Sequence, residues 1–143
     1  MEHSGITARL RNRQVRSALE AADRANPGFM EHAQRVAVYS VAVGDQVGME
    51  SDALLALRYL AELHRIESLD PELVVLIPTD LLSREIVKLC ERFDILRTGY
   101  GDGIPVGDDE CVRWLSEEAI GEFDARIVEA LLAVQSVIQP IGT

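Results

Sequence analysis

Between Pro78 and Arg97 the apolar residues Leu82, Ile86, Leu89, Phe93 and Leu96 fall at steps of four, three, four and three. That spacing puts all five on one face of a helix; a strand, whose side chains alternate, has no face that would gather them. The same rhythm recurs along the chain while strict alternation is nearly absent, so an all-α domain is the expectation. At 143 residues and 48% hydrophobic content there is apolar material for one compact core and too little length for two ordinary domains. Residues 1–143 therefore read as a single domain.

Turn chemistry divides the chain into elements. A basic N-terminal helix within residues 1–25, expected from Thr7 to about Ala25, buries Ile6, Leu10, Ala18, Leu19 and Ala22, and Asn26-Pro27-Gly28 stops it. A second helix runs from Phe29 to Val47; its Ala33, Ala37, Ser40 and Gly44 are small enough for another helix to approach closely. Ser51 is the expected N-cap of a third, built on the stretch LLALRYLAELHRIESL from Leu54 to Leu69 and ended by Asp70-Pro71. The run ELVVLI, 72–77, fits either a helical turn or an extended strap. Thr79 is the expected cap of the Leu82 helix, and a shorter helix is expected from Asp109 to Ala119. Asp124 caps the last one, with Ile127, Val128, Leu131, Leu132 and Ile138 as its apolar face. Residues 97–109, RTGYGDGIPVGDD, hold four glycines and a proline and read as an exposed Gly-rich loop.

Charge narrows the function classes. Residues 1–24 carry five arginines against Glu2, Glu20 and Asp23, whereas the remaining 119 residues carry nine basic and 21 acidic side chains. An acidic body of this kind repels phosphate backbones, so no nucleic-acid partner is expected. Cys90 and Cys111 follow no metal-binding spacing and read as reduced, buried thiols. Neither a membrane-spanning apolar run nor a signal-peptide core is present in the sequence, and a cytoplasmic protein without membrane contact is the expectation.

The third helix carries the chemistry. Leu57, Leu60, Ala61 and His64 share a face, which places an imidazole at the inner end of a core helix, and the next residue is Arg65. Four segments in order then resemble the HD superfamily of metal-dependent phosphohydrolases, and within it the HD-GYP group that hydrolyses cyclic di-GMP. NPGFMEHAQRVAVYSVAVGDQVGM resembles the family's opening helix, with His32 at its histidine ligand. LRYLAELHRIESL resembles the helix ending in Leu-His-Asp-Ile-Gly-Lys, with His64 matching and Arg65 in place of the aspartate. IPTDLLSREIVKLCERFDIL is similar to the segment that supplies the last metal-binding aspartate, where Glu91 stands. EEAIGEFDARIVEALLAV resembles the closing Gly-x-x-Phe-Asp-Pro pattern. The resemblance covers roughly residues 17 to 138 and implies a compact HD-domain-like bundle of about six helices.

Two departures shape what it implies for function. Arginine stays protonated and cannot ligate a cation, so the substitution at Arg65 opposes a metal as well as removing a ligand. Only 26 positions separate Arg65 from Glu91, and the family's intervening histidines and Gly-Tyr-Pro signature are missing. Gly99-Tyr100-Gly101 lies after Glu91, on the wrong side of the ligand order, and reads as surface loop. His32, His64, Arg65 and Glu91 are thus expected to be vestigial metal-site positions with no catalytic residue, no cofactor, and Arg65 paired with Glu91 or Glu62. The expected role is a catalytically inactive module of bacterial signalling, working through a protein partner or as a homodimer. One alternative is a residual phosphohydrolase in which His32, His64 and Glu91 hold iron, manganese or zinc. Another is a non-hydrolysing nucleotide sensor with Arg65, Arg92 and Arg97 on the phosphates.

Overall fold

The computed structural model describes residues 2–101 and 103–138, with side chains from residue 8 onward. Seven helices and one 3₁₀ turn account for its regular structure, and no strand occurs among the described residues. The helices are α1 (Glu2–Ala25), α2 (Phe29–Gln46), α3 (Ser51–Leu63), α4 (Pro71–Val74), α5 (Leu81–Thr98), α6 (Asp108–Glu117) and α7 (Ala125–Val134), with the 3₁₀ turn at Ala119–Gly121. Six helices have ten or more residues, and α4 is the single turn PELV, with Val75 as its C-cap.

α2 is the hub, packed against α1, α3, α5 and α7. Its small residues make this possible: a Cβ placed on Gly44 would lie 2.8 Å from Leu57 and 2.9 Å from Leu54, so α3 closes on α2 where a side chain is absent. The apolar interior has two lobes. The larger gathers Tyr39, Leu57, Phe93, Leu115, Ile127 and Leu131 with the other buried positions of α5, and Phe93 meets Tyr39 edge to face at 5.3 Å. In the smaller, Val15 and Leu19 of α1 pack with Phe29, Tyr59, Leu63 and Leu73.

Several boundaries differ from the expectation, each for a local reason. Leu10 is 53% exposed and Val15 is buried instead, because among the described side chains of α1 those packed in the core begin at Val15; Ile6 lies outside the residues whose side chains are described. Asp80, not Thr79, caps α5, accepting a hydrogen bond from Ser83 N–H at 2.9 Å. Ser51 is the first residue of α3 and caps nothing. α3 ends at Leu63, not near Leu69, since Ile66 and Leu69 turn away to pack in the smaller lobe. Asp124 caps α7 as expected, accepting from Arg126 N–H at 2.8 Å. Cys90 and Cys111 are buried free thiols, and burial pushes Cys90 up to about 12. Among the described residues no helix is long and apolar enough to cross a membrane.

Candidate functional site

His32 stands on the first turn of α2, next to Ala33 of the smaller lobe and one turn before Val36 of the larger, and is 4% exposed. Its Nδ1 lies 2.6 Å from Asp94 Oδ2. Asp94, on α5, is fully buried and also accepts both arms of the Arg35 guanidinium, Nε at 2.7 Å and Nη2 at 3.1 Å. A buried carboxylate without partners would cost several kcal/mol, and here three donors satisfy it. The arrangement fixes His32 with its Nδ1 proton on Asp94 and its Nε2 toward Glu91, 3.9 Å away. Burial pulls the imidazole down, yet Asp94 and then Glu91 outweigh it, and His32 is raised above its ordinary value.

Glu91 sits one turn before Asp94 on the same side of α5 and is 7% exposed. Arg65 reaches it as a fork, Nε to Oε2 at 3.0 Å and Nη2 to Oε1 at 3.2 Å. His64 caps the end of α3; its Nδ1 hydrogen-bonds the Leu60 carbonyl at 2.9 Å, and its Nε2 lies 3.0 Å from Glu91 Oε1 without hydrogen-bond alignment. Burial works against ionisation of Glu91, but His32, His64 and Arg65 prevail and hold the carboxyl well below the usual carboxylate range. Arg65 is raised in turn by its bond to Glu91. Glu62 is not part of the site, being paired with Arg58 at 3.0 Å.

The structure therefore brings His32, His64, Arg65 and Glu91 together. It does not bring the three arginines together. Adjacent residues on a helix point about 100° apart, so beside an inward Glu91 the Arg92 side chain faces α6, lying over the rings of Trp114 and Phe123 and pairing with Glu122. Arg97, a further turn and a half along, donates to Tyr39 Oη and to the Ile138 carbonyl, both at 3.3 Å. Of the three arginines, Arg65 alone lines the cleft.

Tyr100 belongs to the site although the loop reads as surface. Gly99, at φ +74°, turns the chain at the end of α5, and the Tyr100 ring stacks on His32 with centroids 4.0 Å apart and planes 3° from parallel. Gly28 lies beneath, where an added Cβ would touch the tyrosine ring at 3.7 Å. From Gly101 onward most described residues of the Gly-rich loop are exposed, Ile104 at 86%, while Val106 is half-buried and its N–H bonds back to the Leu96 carbonyl. Asp102 lies outside the described residues. His32, Arg65, Glu91 and Tyr100 open on a cleft of about 1050 Å³, walled by Ser17 and Ala21 of α1.

Two features suit a metal and one opposes it. Both imidazoles have Nδ1 engaged and Nε2 turned toward one carboxylate, as zinc or iron ligands do. However, both oxygens of that carboxylate are held by the Arg65 fork. A guanidinium there opposes an incoming cation; the unscreened bound is about 4 kcal/mol per unit charge at roughly 4 Å and an effective dielectric near 20, and water reduces it because the Arg65 side chain is 65% exposed. Among the described residues no group of three or more His, Cys, Asp and Glu has metal-holding geometry. The donor set does not fit a divalent metal while Arg65 is in place. No family model, curated protein or solved structure matches the chain.

Proposed function

We propose that this chain is a shortened, catalytically inactive HD-GYP-like module that regulates through binding, with Arg65 supplying the positive charge that a metal supplies in the family it resembles. The observation that carries this reading is the Arg65 fork on Glu91: each oxygen of the buried carboxylate already accepts a guanidinium hydrogen bond and its charge is neutralised, which weakens it as a cation ligand or a base. What supports the regulatory role is a well-packed helical body with an open cleft beside the neutralised carboxylate. Metal content by mass spectrometry of protein prepared without chelator tests it. The expected result is no stoichiometric metal and no turnover of cyclic di-GMP. Near-stoichiometric iron, manganese or zinc that disappears in His64→Ala would overturn it.

A second reading is favoured by the cleft. The ring of Tyr100, the second edge of the Arg65 guanidinium and a volume of about 1050 Å³ suit a nucleotide held without cleavage. Calorimetry with cyclic di-GMP and common nucleotides separates the two, since the sensor reading requires saturable heat that Arg65→Ala removes.

A further inference from the structure

Residues 9–16 of α1 form a basic stretch with one face uncovered. Val15 and Leu19 mark the side that meets the body; away from it Arg9, Leu10, Arg13 and Arg16 are exposed, Arg13 also lining the cleft and Arg16 paired with Glu20 at 3.0 Å. Arg9, Arg13 and Arg16 follow one another at helical spacing, with Leu10 beside them, so the face is a leucine bordered by arginines.

Elsewhere on the surface α2 and α3 leave a groove of about 760 Å³ between them. Its floor is apolar and built of small or branched residues, Val38, Val41 and Ala42 of α2 with Leu54 of α3, and Val38 is 41% exposed. Asp45 stands at one end and the Arg58–Glu62 pair, 3.0 Å apart, at the other. From Gln34 to Asp45 the groove follows three turns of α2, about 16 Å at 1.5 Å per residue, enough for the two turns of α1 from Arg9 to Arg16.

Charge selects the occupant. Residues 1–24 have five arginines against three acids, and the other 119 residues have 21 acids against nine basic side chains. The basic helix is therefore complementary to the body of its own kind. We propose that the Arg9–Leu10–Arg13 face of α1 docks in the α2–α3 groove of a second copy, and that the exchange is reciprocal. Leu10 enters the apolar floor, and the arginines meet Asp45 and the acidic body around it. Two-fold symmetry doubles the contact, bringing a small helix-in-groove surface toward the roughly 1,200–2,000 Å² of a stable interface. The dimer gives the regulatory reading a partner, but it depends on residues outside the Glu91 site, so metal analysis and association measurements fail independently.

Sedimentation velocity tests it on the full chain. The wild type is expected to dimerise at micromolar concentration, with affinity falling about tenfold or more between low and high salt as the charges are screened. Leu10→Glu and Val38→Glu each change an exposed residue and are expected to give monomers with unchanged far-UV circular dichroism; the Arg9→Glu, Arg13→Glu double variant is a second probe of the same face. Mixing Leu10→Glu with Val38→Glu leaves one intact α1–groove contact and is expected to restore a weaker heterodimer. A wild type that stays monomeric at the highest concentration, or a dimer that ignores both variants, would overturn the proposal. So would a mixture that forms no heterodimer, since that outcome belongs to like-to-like pairing of α1 or of the groove.

Discussion

Arg65→Asp replaces the fork that closes Glu91 by a second carboxylate, and its consequences can be followed in both directions. Without metal, Glu91 loses its guanidinium and faces a like charge. A full unit-charge pair at about 4 Å is worth about 4 kcal/mol at an effective dielectric near 20. The Arg65 side chain is 65% exposed, so water screens most of that. With exposed pairs measured at roughly 0.2–1 kcal/mol and one partner here buried, the combined loss of attraction and gain of repulsion is about 2–3 kcal/mol. With metal, His32 Nε2, His64 Nε2 and two carboxylates form an oxygen and nitrogen ligand set suited to manganese, iron or zinc. A metal at about a hundred times its Kd returns about 2.7 kcal/mol. For a slope of about 2 kcal/mol per molar urea, that is a rise of more than 1 M in the unfolding midpoint. Urea unfolding followed by circular dichroism, in chelator and in manganese or zinc, reads both effects. The wild-type midpoint is expected to be indifferent to metal and the variant's to rise. An equal rise in the wild type, or none in the variant, refutes the idea that Arg65 is what keeps a cation out.

Asp94→Asn leaves Arg35 and His32 facing a neutral amide in a buried site, and chemical unfolding should show a loss of about 3–5 kcal/mol. Stability is expected to be greatest at weakly acidic pH. His32 is raised above 6.5, so its contribution is complete below that value and lost as pH rises through the folded-state value; Glu91 is lowered from 4.5, so its contribution is present above 4.5 and lost as pH falls well below it. Unfolding free energy against pH should fall on both sides of the 4.5–6.5 interval, and His32→Gln should flatten the upper limb. Tyr100→Ala removes a stacked ring from His32 and should cost about 0.5–1.5 kcal/mol while shifting the His32 ring proton resonances; Tyr100→Phe should preserve both.

The helical architecture was legible because periodicity reports burial directly. Leu82, Ile86, Leu89, Phe93 and Leu96 are buried or half-buried along α5 as their spacing required. The gathering of His32, His64, Arg65 and Glu91 could be anticipated from the resemblance. What escaped were the groups that hold them. Arg35 lies three residues after His32, and Asp94 three residues after Glu91, so each shares a helical face with a site residue. Two faces bearing opposite charges at the same spacing were the available signal for the Arg35–Asp94 pair. Arg92 stands away from the site because neighbours in sequence point to different sides of a helix. Tyr100 could not be placed at all: stacking on His32 depends on the left-handed turn at Gly99 and on the space above Gly28, neither of which periodicity describes.

The cleft owes one of its walls to α1, and that wall is held mainly by Val15 and Leu19. Burying two such side chains is worth about 3–6 kcal/mol, less than the usual global stability of a domain of this size. With Ala18 and Ala22, the Gln14–Glu72 hydrogen bond and the Asp23 bonds to Gly28 and Met30 N–H added, α1 is still expected to open ahead of α2, α3 and α5, which amide hydrogen exchange would record as faster exchange in α1 than in α5. Lifting removes the Ser17 and Ala21 wall beside His32 and Tyr100, so anything held against that wall loses its contact when one helix detaches. A compound that bridges Ser17 to Arg65 would reveal itself by slowing exchange along α1 alone.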